Sequence, residues 1–109
     1  MAYDHELAEH IRELMAGEEG VTEQSMFGGL GFMLNGNMAV AARSGGGLLV
    51  RVDPEAGETL IDGERVRPMV MRGREMAGWL TVDPDSDDEV AQWVARGAAY
   101  ARSLPRKKK

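Results

Sequence analysis

Ser25-Met26-Phe27-Gly28-Gly29-Leu30-Gly31-Phe32-Met33-Leu34-Asn35-Gly36-Asn37-Met38-Ala39-Val40-Ala41-Ala42 is the stretch on which the fold turns. From Ser25 the apolar period is two: Met26, Gly28, Leu30, Phe32 and Leu34 share one face of a strand, and Phe27, Gly29, Gly31 and Met33 share the other. Asn35-Gly36 tolerates the positive φ of a tight hairpin turn, so Asn37 to Ala42 is expected to return antiparallel. Both faces of this hairpin are apolar or small, so both need cover.

The elements continue outward on either side. Upstream, Leu7, Ile11, Leu14 and Met15 recur at helical spacing and Gly17 follows as a stop. Downstream, Ser44-Gly45-Gly46-Gly47 marks a turn and Leu48 to Val52 a third short strand, with Arg51 on the face opposite Val50 and Val52. Asp53-Pro54-Glu55 starts a short helix, with Asp53 as cap and Pro54 at the first helical position, ending near Asp62-Gly63. Strand signals resume over Arg67 to Met71, pause at Arg72-Gly73-Arg74 and return over Gly78 to Val82. The last element is a helix opened by the capping pattern Ser86-Asp87-Asp88-Glu89, with Val90, Trp93, Val94, Gly97, Ala101 and Leu104 as its apolar stripe. The order α-β-β-β-α-β-β-α predicts a two-layer α+β domain, a mostly antiparallel sheet of five strands with helices packed on one side. Residues 1–105 read as one domain and 106–109 as a short basic tail, a fit to 109 residues.

Composition removes several function classes. Zero Cys excludes a disulfide scaffold, thiolate catalysis and Cys-ligated metal, and is compatible with a reducing cytosol. No run reaches the roughly 18 apolar residues of a membrane span, and the N-terminus lacks signal-peptide order, so a soluble cytoplasmic protein is expected. The net charge of −5 is unevenly spread. Residues 1–42 carry one Arg against seven acids, while residues 43–74 carry six Arg against five. An acidic body repels a phosphate backbone at long range, which disfavours general nucleic-acid binding.

No catalytic constellation emerges. The glycines at 28, 29 and 31 lie within strand-like alternation and lack the following helix that a dinucleotide fingerprint requires. Ser25, Ser44, Ser86 and Ser103 sit in no nucleophile setting, and Ser86 is better explained as a helix cap. His5 with Glu9, and Glu6 with His10, fall four residues apart on one helix but have no third convergent ligand. No cofactor is expected. Two other features point to recognition. Arg72-Gly73-Arg74 interrupts a strand-like stretch, and a Gly between two arginines permits a bend that aims both at one carboxylate or phosphate; pairing with the acidic body is the simpler reading. Eight Met is a high count, and six of them, Met26, Met33, Met38, Met69, Met71 and Met76, fall in or beside strands. Met fills irregular cores and also lines adaptable binding surfaces. With helices on one side only, Phe27, Met33 and Trp79 are candidates for an apolar patch on the other, suited to a protein partner or a homodimer; a monomer with a Met-rich core fits the sequence equally.

The run Met26-Phe27-Gly28-Gly29-Leu30-Gly31-Phe32-Met33-Leu34-Asn35-Gly36, followed by Arg67-Pro68-Met69 and Met76-Ala77-Gly78-Trp79-Leu80, resembles the N-terminal domain of the TfoX/Sxy family of bacterial competence regulators. With the strand at 48–53 and the flanking helices the resemblance covers most of residues 5–104. It implies a two-layer α+β fold similar in topology to secretion chaperones, and a standalone domain without the family's C-terminal helix-hairpin-helix-like domain. It also implies a non-enzymatic role in transcriptional regulation, with no catalytic residues to carry over. Two functions follow as expectations. One is an adaptor that binds a protein partner through Arg72, Arg74, Trp79, Phe27 and Met33. The other is direct nucleic-acid binding through Arg43, Arg51, Arg65, Arg67, Arg72 and Arg74 as one basic face. Since the His/Glu pairs have no third ligand, a chelator is expected to leave the melting temperature unchanged in a thermal scan; a large fall would reveal a metal.

Overall fold

The computed structural model describes residues 3–26 and 28–105 of the chain; Phe27 and the 106–109 tail lie outside them. The fold is α+β with three helices and one open sheet. Its elements are α1 (His5–Leu14), β1 (Val21–Met26), β2 (Gly29–Leu34), β3 (Asn37–Ala42), β4 (Leu48–Arg51), α2 (Pro54–Leu60), β5 (Val66–Met71), β6 (Arg74–Val82) and α3 (Asp87–Ser103). The sheet has six strands in the order β1-β2-β3-β4-β6-β5, with every neighbouring pair antiparallel.

Six strands replace the expected five because the stretch from Ser25 to Leu34 is not one strand. Met26 pairs with Gly29 and Val21 with Leu34, so the chain reverses between Met26 and Gly29, with Gly28 at φ +79°. β1 reads poorly as a strand because it is an edge strand whose Thr22, Glu23, Gln24 and Ser25 are all exposed. The next hairpin follows the sequence: Leu34 pairs with Asn37 across Asn35 and Gly36, both at positive φ. Within β2 the alternation holds, with Leu30, Phe32 and Leu34 buried in the main core and Met33 on the opposite face.

Caps fix the helix starts. Asp4 Oδ1 accepts the Glu6 and Leu7 N–H groups at 2.9 and 3.2 Å, and Ser86 Oγ accepts the Glu89 N–H at 3.2 Å. Asp53 differs from expectation: its side chain makes no cap bond, and Pro54 at the first helical position starts α2 without it. Leu14 also departs from the expected stripe; it is exposed, and Ala8 joins Ile11 and Met15 inside. The main core gathers Ile11 and Met15 with Phe32, Val40, Val50 and Leu80 from the sheet, Trp93 and Val94 of α3, and Leu60 of α2 at its margin.

One close approach seats α3. Between the pairs Phe32↔Val40 and Met33↔Met38 the strand β3 carries an extra residue, Ala39, and this bulge turns Ala39 and Val40 both toward the helices. Gly97 lies directly over it: a Cβ there would stand 2.3 Å from the Ala39 carbonyl oxygen. Ala favours a helix over Gly by about 1 kcal/mol. Overpacking against a backbone carbonyl that cannot swing aside costs about 1–3 kcal/mol. We therefore expect Gly97→Ala to lower the urea midpoint, and Gly17→Ala, which meets nothing within 4 Å, to leave it unchanged; a stabilised Gly97→Ala would contradict this packing.

Candidate functional site

Alternation along β3, β4 and β6 gives the sheet a second apolar face. Met38, Ala41 and Leu49 are buried there, and Met33, Met69 and Trp79 pack on them half-buried. None of the residues in this cluster comes from a helix. The face is curved. Neighbouring strands are about 4.8 Å apart, which would hold β5 roughly 14 Å from β3 and still farther from β2 in a flat sheet. Yet Gly29 of β2, Ala41 and Ala42 of β3, Leu49 of β4 and Met69 and Met71 of β5 wall one cavity of about 300 Å³, completed by Arg43 and Ser44. The bend originates in the β5–β6 hairpin. Pro68 pairs with Leu80 but Met69 pairs with Met76, leaving Ala77, Gly78 and Trp79 without partners on β5. Gly78 takes φ +84°, where a side chain is disfavoured, and its carbonyl accepts the Val52 N–H at 2.8 Å.

The six arginines of the expected basic face fall at several places. Arg65 bonds Glu89 at 3.0 Å and lies 3.9 Å from Asp85, at the start of α3. Arg67 bonds Asp83 at 3.0 Å and also donates to the Glu64 carbonyl. Arg51 stacks between Trp79 and Tyr100, 5.1 and 5.8 Å from their ring centroids. Arg43 and Arg67 share a groove of about 540 Å³ with Pro68, Met69 and Thr81. Arg72 and Arg74 flank Gly73 at the hairpin turn, both exposed, with Arg72 at φ +54°. Of the expected partner-binding residues, Met33 and Trp79 meet on the second face, Arg72 and Arg74 stand on the hairpin that bends over it, and Phe27 lies outside the described residues.

Other candidate sites do not assemble. Among the described residues no three His, Asp or Glu side chains are grouped to hold a metal ion. The His5 ring lies 4.7 Å from that of Tyr3, and His10 Nε2 is buried without a hydrogen-bond partner. Ser103 Oγ donates to the Tyr100 carbonyl at 2.6 Å, a local helix contact. Nor is any described helix long and apolar enough to cross a membrane. What the sequence reading missed is the cavity itself. Met69 and Met71 share a face by strand alternation, and that was its one local signal.

A carboxylate turn leads the chain into β5 behind this face. Asp62 Oδ1 accepts the N–H groups of Glu64, Arg65 and Val66 at 2.8, 3.0 and 3.0 Å. Those bonds, the one from Val66 foremost, hold the Asp62 carboxyl below its ordinary pKa. Glu89 is likewise lowered, first by the Asp85 N–H at 2.9 Å and then by Arg65. It therefore reaches back to Asp85, not to the Ser86 N–H of a full capping box.

The chain matches the family model described as the TfoX N-terminal domain over residues 13–101. It belongs to that family, which is associated with competence regulation and is not known for enzymatic activity. No curated protein and no solved structure shows a significant match to it.

The lowered carboxyls predict an acid response. The unfolded chain takes up protons near the ordinary carboxylate values of about 4, before the folded chain does, so their stabilisation is complete above about pH 5. It is lost as pH falls through the lower folded values. Asp62→Ala should melt at a lower temperature at pH 7 and lose less on going to acid; an unchanged melting-temperature profile from neutral to acid pH would refute the role of this turn.

Proposed function

We propose that this domain is a cytoplasmic, non-enzymatic regulatory module that binds a protein partner through the second face of its sheet and the Arg72-Gly73-Arg74 turn, in the setting of transcriptional regulation. The observation that carries the reading is the apolar cluster of Met38, Ala41 and Leu49, on which, among the described hydrophobic residues, the half-buried Met33, Met69 and Trp79 pack and no helix residue does. Apolar surface of this kind, rimmed by charge, suits a partner surface better than bulk water. Family membership supports the regulatory class.

Direct nucleic-acid binding has weaker support. Of the six arginines it needs, Arg65 and Arg67 already face carboxylates and Arg51 is stacked on two rings. A phosphate-binding face works by summed positive potential, which those pairings reduce.

Met33→Glu and Arg74→Glu test the reading. Arg74→Glu should keep the wild-type melting curve, Met33→Glu should lower the melting temperature while leaving the chain folded at the assay temperature, and each should reduce by about tenfold or more the recovery of a specific partner from a lysate of the native host, as losses at interface anchors do. Recovery indifferent to both substitutions would remove this face from the interaction. Duplex DNA retained at low salt, with a steep salt dependence, would favour the nucleic-acid reading instead.

A further inference from the structure

The described arginines fall into three sets. Arg12, Arg65, Arg67 and Arg102 are ion-paired with carboxylates. Arg51 and Arg96 lie over aromatic rings. Arg43, Arg72 and Arg74 have neither kind of partner among the described residues, in a chain of 18 acids against 13 bases. These three are gathered around one feature. Arg43 lines the 300 Å³ cavity, and Arg72 follows Met71, which also lines it. Arg74 is paired with Met71 across the hairpin.

Arg43 is the sole charged residue in that lining, which is otherwise glycine and apolar side chains apart from Ser44. Leu49, Met69 and Met71 form its walls, and methionine walls adapt to the shape of an inserted apolar group. The volume is at the lower limit of the ~300–1,000 Å³ typical of ligand pockets, a size suited to one large side chain. A guanidinium-bearing residue in the lining of an apolar cavity, with two more arginines on the turn that follows Met71, favours carboxylates over cations.

We infer that the occupant of this face is an acidic peptide segment bearing one large apolar residue: the apolar side chain enters the cavity between Leu49, Met69 and Met71, and flanking Asp or Glu carboxylates pair with Arg43, Arg72 and Arg74. The inference rests on the protein-binding reading above and narrows it to a partner chemistry. Charge complementarity sets the class of partner. The cavity sets its anchor.

The probe is a fluorescein-labelled synthetic peptide of Asp and Glu residues with a single central Phe, titrated with the full chain and followed by fluorescence anisotropy. Saturable binding is expected, weakening as salt rises. Replacing the Phe by Ser, or the acids by Lys, should weaken it about tenfold or more. The doubly substituted chain Arg72→Glu, Arg74→Glu should show a similar loss with an unchanged melting curve, since neither side chain has an ion-pair or ring partner among the described residues. The inference is overturned if the Lys peptide binds as well, if the double substitution has no effect, or if no peptide binds. It is also overturned if an oligonucleotide displaces the peptide through the same arginines, or if sedimentation shows that a second copy of the chain takes the face. A lysate pull-down still sensitive to Met33→Glu, alongside failure of every peptide, would leave the protein-binding reading standing and remove the acidic class alone.

Discussion

Gly78 holds φ +84° and gives its carbonyl to the Val52 N–H at 2.8 Å, and around that bond three residues of β6 go without partners on β5. A flat hairpin would carry Met69 and Met71 away from the sheet centre, because strand spacing alone separates β5 from β3 by three steps. The bend returns them over Ala41 and Leu49. Its position is further constrained: a Cβ on residue 78 would stand 2.9 Å from the Val52 carbonyl oxygen and 3.2 Å from the Pro54 ring. Pro68, with no N–H to give the ladder, sits opposite at the register break. The cavity, its rim and the accessible part of the second face all follow from this local failure of pairing.

The other face obeys a tighter constraint. Gly97 and the Ala39 bulge bring the backbone of α3 against that of β3, which draws Trp93, Val94 and Ala98 down onto the sheet. α3 is also held at its far end, where Asn37 Nδ2 donates to the Pro105 carbonyl at 2.9 Å. The two sides therefore differ in kind: one closed by rigid helix packing, the other by flexible methionine side chains and a bent hairpin. Recognition is the chemistry that the second arrangement favours, since side chains that cover a surface without helix support can repack around a partner.

Much of this was legible in the sequence where the rule is local. Asn35-Gly36 needs only two residues in left-handed backbone, and Ser86 needs only the N–H three residues on; both took the expected conformation. The main and second faces of β2 separated as its alternation indicated. The first strand was not legible, because Thr22 to Ser25 are polar along an exposed edge and the reversal at Gly28 continues the apolar alternation that marks a single strand. Nor could sequence place β6 between β4 and β5, since either order satisfies the same hairpin. The cavity is the least local feature of all: its walls come from residues 29, 41, 49, 69 and 71, brought together only by a register break.

Net charge is the composition term that structure revises most. A value of −5 describes a chain that repels anions at long range, yet screening confines that repulsion to about 8–10 Å at physiological salt, and local arrangement governs at shorter distances. Four of the 18 acids form close pairs with arginines: Glu23 bonds Arg12, Glu18 bonds Arg102, Asp83 bonds Arg67 and Glu89 bonds Arg65. Each such pair removes a cation along with an anion. Among the described residues, the arginines with neither an ion pair nor a ring partner are Arg43, in the lining of the Met-walled cavity, and Arg72 and Arg74, on the hairpin turn next to Met71. On the proposed reading, an approaching acidic segment gains there what it loses elsewhere, and a basic one does not.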